Sequence, residues 1–405
     1  MSKLYRAIFG IFIIFCVVSV YINIPAEDRY FQAADEGYYL EFSGNIAEKG
    51  PLQFRRLIDY YIAFPETHLF PPPSRIGYIS LAAIWLKVWG VSFVNLAKFS
   101  FFCYLLFVLL CFHFSRKFFS SGVAYPFTLL LSSSPLMMAM GKRALLESCF
   151  NLFCGLAVWT FLDFLLTDKK RSFIICLAAT WFTILIKESS LLLLVFFACA
   201  FLLSRYYFKR KIPWSYLLGI LFVPAAASVF VFEFFCGGFG QFIALVKGIL
   251  GTHFGSTQES RYALMFGMGP WYRYIMDLLL LSPASTLLFI GYCGYVLISR
   301  KWDVITAYFF QYFFIIYLIL SNLKYTKVIR YLINLDMVIN LFSVLALYEL
   351  FRQRDRLKQY RIVFASALVL FFFNYQDFHQ LFVRQDIYDP VSYRLLAAKK
   401  IIPYP

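Results

Sequence analysis

The chain has 405 residues, 61% hydrophobic, 21% aromatic and only 15% charged, with a mean hydropathy of +0.70. Soluble domains average about a quarter charged residues, so a water-soluble particle is excluded and an all-α polytopic membrane protein is expected. The net charge of +16 sits in short basic clusters between apolar runs, the pattern of membrane loops, which excludes nucleic acid as a partner.

A membrane helix needs about 20 mostly apolar residues. In chain order such runs cover 5–24, 98–115, 123–140, 144–164, 172–187, 189–206, 214–236, 276–298, 304–322, 330–350 and 361–374. The first is too long for a signal-peptide core and reads as an uncleaved anchor. A twelfth run, 76–90, is short and flanked by Arg75 and Lys87. If it does not cross, the clusters at Lys3, Arg116, Lys169, Arg205, Arg300 and Arg352 all share the cytoplasmic side with the N-terminus. The run therefore reads as a helix in the outer interface, leaving about 11 transmembrane helices. Residues 1–374 form one transmembrane domain, with large outer loops at 25–97 and 237–275 and a short outer tail at 375–405. The cysteines show no metal or disulfide spacing and pack as small apolar residues.

This topology gathers unusual charges outside. The acids are Asp35 and Glu36 in the first loop and Glu147 at the mouth of a helix; the cations include Arg75, Arg143, Lys187, Lys324 and Arg330. Charges partly buried near a bilayer are functional candidates. A carboxylate can deprotonate a hydroxyl or amine nucleophile, and Arg and Lys can hold a phosphate and neutralise it as it leaves. The same residues also have plain readings. Asp35 and Glu36 suit a solvated loop, Glu147 suits a helix N-terminus, and the cations suit interfacial snorkelling. No P-loop, dinucleotide glycine motif, HExxH or serine elbow is present. His68 and His253 are the candidates to join Asp35 in holding a divalent metal; no other cofactor is called for.

Several segments carry a resemblance when taken together. They are Asp35-Glu36-Gly37-Tyr38-Tyr39, Pro71-Pro72-Pro73-Ser74-Arg75-Ile76-Gly77-Tyr78, Gly141-Lys142-Arg143 with Glu147, Ile186-Lys187-Glu188, Pro270-Trp271-Tyr272-Arg273-Tyr274, and Lys324 through Arg330-Tyr331-Leu332. In order and spacing the chain resembles the GT-C membrane glycosyltransferases of the protein O-mannosyltransferase and aminoarabinose (lipid A) transferase kind. It departs from their pattern at Glu147, where Asp is commoner, at Glu188 in place of glycine, and at Arg75 where Lys is frequent.

The resemblance implies a GT-C fold whose large first outer loop carries juxtamembrane helices. It implies transfer of a sugar from a polyprenyl-phosphate donor to a glycan, lipid or protein acceptor at the outer face. Asp35 is then the base, with Glu36 supporting it, and Glu147 with Tyr39 the second acidic or acceptor site. Arg75, Arg143, Lys187, Lys324 and Arg330 are the phosphate ligands, and Tyr331 and Trp271 the sugar or lipid contacts. With no ER-retention signal, the expected location is a bacterial cytoplasmic membrane. The alternative is a transporter or flippase of a lipid-linked anion, which would show repeats and charged or broken helices near mid-membrane.

Overall fold

The computed structural model describes residues 3–25, 34–254, 269–300, 302–323 and 327–385, and no strand occurs among them. The first helix, α1 (Lys3–Ile22), is followed by α2 (Ala34–Lys49), α3 (Gln53–Ala63) and α4 (Ile76–Trp89). Next come α5 (Phe93–Phe118), α6 (Ser121–Ser133), α7 (Pro135–Gly141), α8 (Glu147–Thr167), α9 (Lys170–Ile186) and α10 (Leu192–Leu202). The chain continues with α11 (Trp214–Cys236), α12 (Phe239–Phe254), α13 (Arg273–Leu281), α14 (Pro283–Ser299), α15 (Val304–Asn322), α16 (Ile333–Leu350) and α17 (Arg356–Phe378). The last helix runs on through His379–Arg384, past residue 374, where the apolar run ends.

Eight of these helices are long and apolar enough to cross a membrane, nine when the bent pair α6–α7 counts as one span. Eleven were expected, and two of the eleven fall short. The run 172–187 forms α9, only 17 residues long and opening on Lys170 and Arg171. The run 276–298 is divided between α13 and α14, of 9 and 17 residues. Proline makes both interruptions in the apolar runs. Pro135 and Pro283 have no N–H to continue a helix and push the preceding serine out of helical geometry. Ser134 accordingly has ψ 125° and Ser282 ψ 67°, and α6 and α7 meet at a 57° bend.

Helices α8 and α16 are enclosed on nearly all sides, whereas α1 and α11 expose much of their apolar surface, including Ile11, Ile14, Phe222 and Phe230. An apolar exterior around a packed centre suits lipid as solvent. Several polar groups at the centre are paired. Asp336 accepts from Ser134 and, at 3.2 Å, from Asn340, while Asn334 donates to the Tyr312 hydroxyl at 3.0 Å.

The short run 76–90 is the 14-residue helix α4. At 1.5 Å per residue it reaches about 21 Å, short of a bilayer core of about 30 Å. It buries Ile76, Gly77, Tyr78, Ile79, Ala82, Ala83 and Leu86 against α2, α5 and α9. Gly77 sets that approach: a Cβ there would lie 3.0 Å from the Leu185 carbonyl carbon and 3.2 Å from the Ile186 nitrogen. Because backbone cannot yield as a flexible side chain can, Gly77→Ala is expected to cost about 1–3 kcal/mol by overpacking. The check is the thermal midpoint of the purified protein in detergent, which should fall.

The basic clusters meet at one end of the bundle. Lys117 pairs with Asp163 at 2.7 Å, Arg210 donates to the carbonyls of Leu165 and Leu166, Tyr295 bonds Glu349 at 2.9 Å, and Tyr5 stacks edge-on against Tyr360. The opposite end, where α8 and α16 begin and α9 ends, carries a different set of charges.

A buried charge cluster at one end of the bundle

Five segments bring their charges together at this end. The stretch around Asp35 is the first turn of α2 rather than an open loop, so Asp35 and Glu36 complement the positive end of that helix. Arg75 caps the start of α4, the turn 142–146 precedes α8, Lys187 ends α9, and Arg330 lies in the short 3₁₀ turn Ile329–Leu332 before α16.

Two neighbouring ion-pair sets result. In the first, Arg330 donates from Nη2 to Asp35 Oδ2 at 2.5 Å, and its Nε lies 3.7 Å from Glu147 Oε1. Lys187 Nζ reaches the same Glu147 oxygen at 3.9 Å. Glu147 thus holds two cations through one atom. Lys187 also sits over the Tyr331 ring at 4.2 Å, and the Arg330 guanidinium lies 5.5 Å from that ring. In the second, Arg75 donates to the Tyr39 hydroxyl oxygen and pairs with Glu188 at 3.7 Å, while Ser74 donates to the other Glu188 oxygen at 2.6 Å. Glu36 braces the floor: it accepts from the Ala144 backbone N–H at 3.2 Å and lies 3.9 Å from Arg143.

Burial makes this arrangement costly. The Glu147, Arg143 and Lys187 side chains are 3%, 1% and 7% exposed. Taking each ion from water costs several kcal/mol, which pairing alone rarely repays. Four carboxylates (Asp35, Glu36, Glu147 and Glu188) face four cations (Arg75, Arg143, Lys187 and Arg330), so the cluster is near neutral. Burial works to raise the Asp35 carboxyl, but the charge and hydrogen bond of Arg330, with Arg75 and Lys187 behind it, hold it below the ordinary carboxylate range. Lys187 moves the other way. Burial, opposed by Glu147 but reinforced by Arg75 and Arg330, lowers it to about 8.

Asp35, Glu36, Tyr39, Arg75, Arg143, Glu147, Lys187, Arg330 and Tyr331 are therefore brought together at this end. Trp271 does not join them: its side chain is exposed, and its carbonyl accepts from Tyr317 at 2.8 Å. His68 is engaged elsewhere, its Nε2 2.8 Å from the Tyr61 carbonyl and its ring against Tyr61. Lys324 and the His253 side chain lie outside the described residues. Among the described residues no three His, Cys, Asp or Glu side chains are grouped to hold a metal ion.

Sequence reasoning gives Ser74 and Tyr78 no role in the site, although both stand in the segment that carries Arg75. Tyr78 is three residues beyond Arg75 in α4, hence on the same face, and its ring meets Tyr39 edge-on at 5.0 Å. That spacing was the available signal. A second polar group involves Arg273 and Lys327. Arg273 pairs with Asp277 at 3.8 Å, and Lys327 donates to the Gly269 carbonyl.

The fold is that of the GT-C membrane glycosyltransferases. The sequence profile of the dolichyl-phosphate-mannose-protein mannosyltransferase family matches residues 76–231, a stretch that contains Tyr78, Arg143, Glu147 and Lys187. Among solved structures, ArnT from Cupriavidus metallidurans bound to undecaprenyl phosphate superposes with a TM-score of 0.61 at 12% identity, covering 98% of this chain and 80% of that one. The oligosaccharyltransferase of Archaeoglobus fulgidus superposes with a TM-score of 0.62 at 13% identity, covering this chain fully but 60% of its own length. A second structure from that organism, AglB in complex with an inhibitory peptide and a dolichol-phosphate, gives a TM-score of 0.56 at 10% identity. No curated protein matches the chain significantly.

Proposed function

We propose that this protein transfers a sugar from a polyprenyl-phosphate donor to an acceptor nucleophile, at the face of the membrane opposite its basic clusters. The observation that carries this reading is Asp35, a partly accessible carboxylate held 2.5 Å from Arg330 inside a buried group of phosphate-binding side-chain types. Two further facts support it. Structures of the same fold hold undecaprenyl phosphate and dolichol-phosphate, and the basic clusters at the other end would face the cytoplasm under the positive-inside rule. That orientation puts the cluster on the outer side of a cytoplasmic membrane.

The chemistry follows from the charges. The acceptor's hydroxyl or amine hydrogen-bonds to Asp35 and attacks the anomeric carbon of the donor sugar. The new bond forms as the bond from that carbon to the phosphate oxygen breaks, inverting the anomeric configuration. Asp35 takes the nucleophile's proton, and the electron pair leaves on the polyprenyl phosphate. Arg330, Lys187 and Arg75 meet the added negative charge in a site shielded from water, where such contacts are strongest. Glu36 and Arg143 hold the start of α2 against the turn before α8.

A transporter would place its charges near mid-membrane. Here they sit at the helix ends, which favours chemistry over passage. Native mass spectrometry of Asp35→Asn, with extraction of its bound lipid, tests the reading. A trapped polyprenyl-phosphate sugar is the expected result. Only ordinary phospholipid, together with movement of a lipid-linked anion across vesicles and no glycosidic product, would replace it with the transporter.

Lys187 supplies a pH test. A lysine lowered to about 8 carries its charge below that pH and loses it above. Donor capture by the free protein therefore weakens as pH rises through about 8, seen as a fall in kcat/KM. Bound phosphate favours the ammonium form, so the corresponding limb of kcat lies higher. Lys187→Arg, always charged, is expected to flatten the fall in kcat/KM. A limb that persists in the arginine variant would assign it to another group.

A further inference from the structure

One oxygen of Glu147 is committed to two cations, and the other is not. Oε1 lies 3.7 Å from Arg330 and 3.9 Å from Lys187. Oε2 is buried and has no hydrogen-bond partner among the described residues. The Tyr78 hydroxyl is in the same condition: fully buried, its ring against Tyr39 at 5.0 Å, and unbonded among the described residues. Leaving a buried carboxylate oxygen or hydroxyl unsatisfied is costly. Two such groups lie on α4 and α8, which both pack against α9, the helix that ends at Lys187.

We propose that Glu147 and Tyr78 form the subsite for the donor's sugar ring, with Glu147 Oε2 accepting a hydrogen bond from a ring hydroxyl or amino group. The inference rests on the transferase reading and adds which residues select the sugar. A phosphate on Lys187 and Arg330 would place the attached ring next to the carboxylate that bridges them. Glu147 is an acceptor only and requires a donor from the ligand, whereas the Tyr78 hydroxyl can donate or accept. Sites built to bond a substrate hydroxyl reject analogues without it strongly, because their own buried groups are then left unpaired. The pair therefore acts as a selectivity filter for one ring position. Its carboxylate also lends negative charge that favours an amine at that position.

The test measures binding of four probes to the full-length protein in nanodiscs: bare undecaprenyl phosphate, and undecaprenyl phosphate bearing mannose, glucose or arabinose. At least one sugar lipid should bind about 10-fold or more tighter than the bare lipid. Forms of that sugar deoxygenated at single ring positions should reveal one position that loses this gain. In Glu147→Gln and Tyr78→Phe the same position should discriminate about 10-fold less. Dividing every affinity by that for the bare lipid removes the effect of Glu147 on the phosphate cations, and retained bare-lipid binding shows that each variant is folded. If Glu147→Gln does not fold, Tyr78→Phe carries the same comparison. The subsite is overturned if no sugar lipid outbinds the bare lipid, or if the sensitive position is equally sensitive in the variants. The second result is what a buried water bridging Tyr78 and Glu147 would produce. Bare lipid binding no better than phosphatidylglycerol would remove the transferase reading itself, and the subsite with it.

Discussion

Asp35→Asn is expected to lower the rate of sugar transfer by about 10²–10⁴-fold, the range for loss of a positioned general base. The substitution keeps the side chain's shape and an oxygen that can accept from Arg330, so the 2.5 Å contact becomes an ordinary hydrogen bond to a neutral amide. The fold and donor binding should survive, because the phosphate contacts come from Arg330, Lys187 and Arg75. Removing the carboxylate also frees Arg330 from its strongest partner, so donor affinity should rise while turnover falls. Turnover and donor affinity are measured separately, by product formation at saturating donor and by equilibrium lipid binding. Near-full turnover in Asp35→Asn would sink the assignment of Asp35 as the base.

The second large effect concerns Arg330, which serves two acids at once. It holds Asp35 below the ordinary carboxylate range and it neutralises Glu147 at 3.7 Å. In Arg330→Gln the burial around Asp35 loses its main counterweight, so the carboxyl moves upward. A group that titrates higher is protonated, and useless as a base, over more of the acid range. The acid limb of the pH–rate profile should therefore shift to higher pH. At pH 7 kcat/KM should fall about 10²–10³-fold, the scale for removing one charged contact to a leaving group in a dry site. Arg330→Lys keeps the charge but not the fork that reaches two carboxylates, and an intermediate rate is expected. An acid limb unmoved in Arg330→Gln would mean that Asp35 is not the group titrating there.

These two variants separate roles that lie within one ion pair. Asp35→Asn reports on proton transfer and Arg330→Gln on both charge stabilisation and the state of the base. Their effects should be far from additive, since the residues are in contact and act together.

Much of this molecule was legible without coordinates. Too few charged residues to cover a soluble particle forces a membrane protein, and apolar runs of a given length force helices, because a lipid environment leaves the backbone no other way to satisfy its groups except a closed barrel. The motifs at Asp35, Arg75, Arg143, Glu147, Lys187 and Arg330 could be singled out because ionisable groups beside apolar runs are costly. Hydropathy alone did not reveal which runs are continuous. Pro135 and Pro283 interrupt two of them, and Lys170 and Arg171 take up the first turn of a third, so among the described residues eight or nine long spans stand where eleven runs suggested eleven.

The tertiary structure decided who pairs with whom. Residues 35, 147, 187 and 330 are far apart in sequence, and nothing in local pattern says that Glu147 bridges Lys187 to Arg330 or that Glu36 takes the backbone N–H of Ala144. It also drew His68 to Tyr61, left Trp271 at the surface and brought in Tyr78. Composition and periodicity follow from the solvent each segment must face, a local property. Pairing of buried charges follows from packing many helices into one enclosed volume, where each ion must find a partner or carry the cost of lost hydration.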